Sequence, residues 1–147
     1  MSIGNDAEFA GRSNHSPGFL LGSAIDVKVE STIAFFGVIG KKATARIVMA
    51  LYTSRDGEPD SLVACTEPTR VEVGAQRIRP NPNATLAPGR YWLVAVFDRK
   101  ASVGFDMSAK DAVVKYVTHR FGEKLPEEFP TPTTYTGQRF NFYLLME

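Results

Sequence analysis

The 147 residues suit a single domain, a size at which folding buries about 70% of the surface of the unfolded chain, so a core forms without covalent staples. Lys and Arg number 17 against 16 Asp and Glu, and no basic block stands out, which argues against an electrostatic nucleic-acid partner. Cys65 is the only cysteine, which excludes an intrachain disulfide and a cysteine-based zinc site.

Residues 1–22 read as an N-terminal arm and 23–147 as one body. Gly4-Asn5-Asp6 and Ser13 to Gly18 are turn chemistry, interrupted by Phe9 and by Phe19-Leu20-Leu21. Such an arm is expected to be disordered or clamped onto a neighbour. It has no apolar h-region, so no signal peptide is expected, and the longest apolar runs are too short to insert into a bilayer. A soluble protein follows, one that reaches a virion surface or the outside by lysis or by a dedicated secretion system.

From Ile25 the period becomes two. Ile25, Val27, Val29, Ile33 and Phe35 share one face, while Phe36, Val38 and Ile39 take the other parity, which predicts a bulge near Gly37 or burial on both faces. Gly40-Lys41-Lys42 is expected to close a hairpin onto the next strand, where Ala43, Ala45, Ile47, Met49 and Leu51 alternate with Thr44, Arg46, Val48, Ala50 and Tyr52. Asp56-Gly57 and Pro59 predict a loop over residues 53–61, then a short strand at 62–66. Another is expected from Arg70 to Val73, ended by Gly74.

Pro88-Gly89 is type II turn chemistry and launches Tyr91 to Phe97, seven apolar residues without a charge. That run predicts a central strand buried on both faces. Val103, Phe105 and Met107 alternate in a further strand. Residues 108–121 carry a capping-box pattern at Ser108 and Asp111 and a helix-stop signal at Gly122, yet Val113, Val114, Val117, Tyr116 and Phe121 favour strand over helix. Residues 122–138 form a long connection containing Leu125, Phe129 and Tyr135, expected to cap an end or an edge. Alternating Phe140, Phe142, Leu144 and Met146 make the last strand. The whole predicts an all-β chain with little or no helix: a two-sheet antiparallel β-sandwich, jelly-roll-like, of about nine strands.

Chemistry-bearing residues are sparse. Asp56, Glu58 and Asp60 place three carboxylates at alternate positions, a weak start to a calcium site that lacks the glycine and bidentate glutamate of the calcium loop. His15 and His119 have no metal-ligand spacing, no Gly-x-Ser-x-Gly elbow or phosphate-cradling glycine loop occurs, and Cys65 lies in an apolar strand. No cofactor is expected. Asp26, Asp98 and Asp106 are the carboxylates that a hydrolase would have to bring together in space. Tyr52, Tyr135 and Tyr143 are the candidates for an exposed ring against a sugar face, and Trp92 is expected in the core.

Ala50-Leu51-Tyr52, Leu62-Val63-Ala64 and Leu86 to Ala95, followed by Phe121-Gly122, Leu125-Pro126 and Phe129-Pro130, give the chain a resemblance to β-sandwich domains of bacteriophage virion proteins and of bacterial surface or exported proteins. The resemblance spans residues 25–147. It implies adhesion, assembly or carbohydrate binding rather than catalysis, and carries over no catalytic residue. The first expectation is therefore a non-enzymatic structural module. It would self-associate or dock on a larger particle, such as a phage tail or capsid, through residues 1–22. A carbohydrate-binding module with a loop-built site is the alternative, and a carboxylate-dependent hydrolase the third.

Overall fold

A computed structural model describes residues Met1–Glu147, and every regular element in it is a strand. In chain order these are β1 (Ser2–Gly4), β2 (Gly11–Arg12), β3 (Phe19–Val27), β4 (Ser31–Gly40), β5 (Arg46–Arg55), β6 (Glu58–Cys65), β7 (Thr69–Arg70) and β8 (Gly74–Ile78). There follow β9 (Thr85–Leu86), β10 (Gly89–Phe97), β11 (Gly104–Asp106), β12 (Val113–Thr118), β13 (Thr133–Thr136), β14 (Arg139–Phe140) and β15 (Phe142–Met146). Fifteen segments replace the expected nine because short pieces of the connections also pair. No helix is long and apolar enough to cross a membrane.

The strands form three antiparallel sheets. A seven-stranded sheet runs β13-β12-β3-β10-β5-β6 with β7 on β5; a five-stranded one runs β1-β15-β4-β8 with β9 on β4; a small one runs β14-β11-β2. The strand β10 lies at the middle, between β3 and β5, and its two faces do different work. Tyr91, Leu93, Ala95 and Phe97 enter a 25-residue core shared with Phe36 and Val38 of β4 and Phe142, Leu144 and Met146 of β15. Trp92, Val94 and Val96 face the other way, into a second cluster with Leu20, Tyr52 and Phe129. A strand apolar at every position is thus explained by two cores, one on each side.

What covers the second face is the 122–138 connection, which lies on the sheet and caps its β6 edge, as the sequence suggested, before its last part joins the opposite edge as β13. Phe129 N–H donates to Asp60 O at 2.7 Å and Leu62 N–H to Glu127 O at 2.9 Å, which also hides the outer edge of β6. The Phe129 ring meets Tyr52 edge to face at 4.9 Å. Tyr52 Oη donates to Pro126 O at 2.6 Å, and burial pushes the phenol well above its usual range. Tyr52→Phe removes one donor and leaves a carbonyl short of a partner, so a loss of about 1–2 kcal/mol is expected. An unchanged urea midpoint would show that the cover does not depend on this bond.

Three local expectations are corrected. β4 and β5 do not pair: β4 lies between β15 and β8, and β5 between β10 and β6, so residues 41–45 cross from one sheet to the other. The crossing sets Val38 and Ile47 in one core from opposite sheets. Residues 53–61 are no loop but a tight hairpin, with Arg55 opposite Glu58. Asp56 and Gly57 take φ of 53° and 78°, the left-handed pair that a two-residue turn demands. Finally, the strand expected from Arg70 to Val73 shrinks to β7, and β8 begins at Gly74. Residues 108–121, by contrast, hold β12 and no helix.

The boundary drawn after residue 22 falls inside β3, and the arm is folded onto its own chain. β1 pairs with β15, β2 with β11, and His15 bridges Ala101. Asn141, fully buried, fixes the stretch between them. Its Nδ2 donates to Asn5 O at 2.9 Å and Ala7 O at 2.8 Å, and its Oδ1 accepts from Phe9 N–H at 2.9 Å. Arg139 adds a cation over the Phe9 ring, 5.0 Å from its centre.

Candidate functional site: an aromatic cavity between the sheets

The largest concavity lies where the folded-back arm meets the body, and its volume is about 500 Å³, within the range of small-molecule sites, about 300–1,000 Å³. One side comes from the seven-stranded sheet, where Phe19, Tyr116 and Tyr135 stand on adjacent strands β3, β12 and β13. Their rings form a continuous series, Phe19 edge-on to Tyr116 at 5.8 Å and Tyr116 tilted against Tyr135 at 5.7 Å. The other side comes from the small sheet, where Phe105 stacks on Phe140 at 5.7 Å. No ring of one series stacks on a ring of the other, so the gap between them is open. The lining also holds neutral polar side chains, among them Asn14, Ser16 and Gln138, and one cation, Arg12.

His15 closes the inner end. Its backbone N–H donates to Ala101 O at 2.8 Å and its carbonyl accepts from Ala101 N–H at 3.0 Å, which drives the ring inward. There it lies 4.6 Å from Phe140, 5.1 Å from Phe97 and 6.4 Å from Phe142. Only 6% of the residue is exposed, and Nε2 is sealed without a hydrogen-bond partner. Burial lowers the imidazole to about 4, so the ring is neutral at pH 7 and acts as one more apolar aromatic. Tyr135 is shifted in the opposite sense, to about 12, mainly by burial; it too stays neutral.

The three tyrosines named from the sequence part company here. Tyr135 lines the cavity. Tyr52 is fully buried under Phe129 and offers no face to a ligand. Tyr143 is 5% exposed because its ring lies flat on Gly37 across the strand pair, where an added Cβ would stand 2.2 Å from it. Neither can serve as a platform. Trp92 is buried as expected, with Nε1 donating to Ser54 Oγ at 3.1 Å.

The carboxylates do not assemble either. Asp56 sits at the hairpin tip, while Glu58 accepts from Lys115 Nζ at 2.9 Å, a nearly buried cation that also donates to Thr134 Oγ1. No three His, Cys, Asp or Glu side chains come close enough to hold an ion, so Asp56, Glu58 and Asp60, the weak candidate in the sequence, do not form such a site. Asp26 pairs with Arg90 near one end of β10 and Asp98 follows its other end, about 26 Å apart over the eight residue steps from Arg90 to Asp98. Burial raises Asp98, but the Arg46 N–H and the Arg99 and Arg46 guanidiniums outweigh it and hold the carboxyl low. Hydrogen bonds from Arg139 and then Ser108 hold Asp106 low as well. Both shifts run opposite to what a general acid needs.

Sequence reading missed Arg12, Asn14, His15, Phe19, Phe105 and Phe140. They come from three segments, 12–19, Phe105 and Phe140, the first 86 residues from the second and the second 35 from the third, and no local spacing links them. The one available signal was an excess of aromatic residues on short strands. No protein-family model matches the chain, and no curated protein matches it.

Proposed function

We propose that this protein is a non-enzymatic carbohydrate-binding module, a jelly-roll-like two-sheet β-sandwich whose cavity takes a sugar ring. The observation that carries this is the lining: two aromatic series on either side of a gap, edged by neutral amide and hydroxyl side chains. A pyranose has apolar C–H faces and a polar hydroxyl edge. The rings suit the faces, and Asn14, Ser16 and Gln138 suit the edge. The site draws on strands β3, β11, β12, β13 and β14 and the folded arm; of the two loops that the sequence suggested, 122–138 supplies Tyr135 and Gln138 and 53–61 supplies no residue.

Assembly on a larger particle, the first reading of the sequence, depended on a free docking arm. Here the backbone of residues 2–4, 11–12 and 15 pairs with β15, β11 and Ala101 of its own chain, so the cavity carries more weight than the arm. A glycan array followed by calorimetry on the full chain tests the proposal. Tyr135→Ala should keep the fold and weaken binding about tenfold, the equivalent of about 1.4 kcal/mol of lost ring contact. No binding to any glycan at millimolar concentration would overturn the reading.

A further inference from the structure

Charge at the cavity narrows the kind of sugar, an inference that rests on the glycan reading above. Among the lining residues Arg12 alone carries a formal charge at pH 7; no Asp, Glu or Lys is present to balance it. Sugar hydroxyls are neutral and do not call for a lone cation beside aromatic rings. An anionic substituent does.

Arg12 also differs from most of the other arginines. Arg46, Arg90, Arg99 and Arg139 each face an aspartate within 3.6 Å, Arg70 donates to Ala43 O, and Arg77 and Arg79 lie over Phe35. Arg12 belongs to none of the seven ion pairs, and of the three arginines outside every ion pair, ring contact and side-chain hydrogen bond, Arg12, Arg55 and Arg120, it alone lines the cavity. Its backbone is nonetheless fixed. β2 pairs with β11, Ser13 N–H donates to Val103 O at 2.9 Å, and Ser13 Oγ accepts from Val103 N–H at 3.0 Å. A free guanidinium on a fixed backbone, at the edge of an apolar cavity, is an arrangement in which an ion pair with a ligand carboxylate is shielded from bulk water on one side.

We propose that the cavity takes an acidic sugar, a pyranose whose ring lies against Tyr135 and Tyr116 and whose carboxylate pairs with the Arg12 guanidinium. The geometry of such a sugar fits the lining. In a uronic acid the carboxylate projects from the edge of the ring, not from a face, so stacking and ion pairing do not compete.

Paired probes that differ only in charge test this. Trigalacturonate is compared with its methyl ester, and methyl β-D-glucuronide with its methyl ester, by calorimetry on the full chain at 0.15 M and 0.5 M salt. In at least one pair the acid should bind about tenfold or more tightly than its neutral partner, the gain expected of a hydrogen bond to a charged group, and the gap should narrow at high salt. Arg12→Gln should bring the pair within about twofold, while Arg12→Lys keeps part of the preference. Equal binding of acid and neutral partners overturns the inference and leaves the glycan reading standing. A preference that survives Arg12→Gln removes Arg12 from the role. If the glycan array and all four probes are silent, the glycan reading falls and this inference with it.

Discussion

Asn141→Ala is expected to lower stability by about 3 kcal/mol or more, and the melting temperature by about 6–12 °C for a chain of this size. The side chain is fully buried and makes three hydrogen bonds to the backbone at Asn5, Ala7 and Phe9. Truncation leaves two carbonyls and one N–H without their partner, and the arm between β1 and β2 loses what holds it down. Asn141→Asp should be worse than its shape suggests. It exchanges the Nδ2 donor for an anionic oxygen set against two carbonyl oxygens. Gly104→Ala probes the same amide from the other side, because an added Cβ would stand 1.8 Å from Asn141 Oδ1. All three variants should gain a proteolytic site within residues 5–10, and all should weaken ligand binding, since Arg12, Ser13 and His15 reach the cavity through this arm. A melting temperature within 2 °C of wild type for Asn141→Ala would show that the arm is held by other contacts.

That arm is also where sequence and structure diverge most. Ser13 to Gly18 has linker composition, yet its partners are Ala101 and Val103, and those of Ser2 to Gly4 are Tyr143 to Leu145. Pairings that span 86 to 143 residues leave no mark on local pattern; they are set by which sheet edges remain open once the rest has folded. β10 was legible for the opposite reason. Its uninterrupted apolar run states directly that both faces are covered, although not that the 122–138 segment covers one of them. The hairpin at Asp56-Gly57 is half legible, since the turn residues are plain but Pro59 reads as part of a loop. In β6 Pro59 stands opposite Ser54 on the last strand of the sheet, a place where a missing N–H costs little. Of the cavity, Tyr135 alone was named, because an exposed ring can be guessed from a loop-rich stretch while a wall of rings on three neighbouring strands requires the strand order.

Acid should destabilise the protein between pH 6.5 and about 4 through His15. Burial lowers the folded imidazole to about 4 against an ordinary 6.5, so across that window the unfolded chain binds a proton that the folded one refuses. Stability therefore falls as pH drops. It is fully present above 6.5, and the loss is complete below about 4. Two and a half pH units correspond to about 3 kcal/mol, of which attraction between an imidazolium and the Phe97, Phe140 and Phe142 rings returns a part. Asp98 and Asp106 do not confuse the window. Their carboxyls are held below the ordinary value, so the stability they supply is lost only at lower pH. His15→Leu keeps an apolar side chain among the three rings and removes the titrating group. It should flatten the denaturation midpoint between pH 4 and 6.5 while leaving it at pH 7.5 near or above that of wild type, because the unpartnered Nε2 is gone. The cavity would register the same proton, since a charge on His15 places a cation at the inner end of a site whose aromatic walls are otherwise neutral. A midpoint that falls equally with acid in wild type and in His15→Leu would place the acid sensitivity elsewhere in the chain.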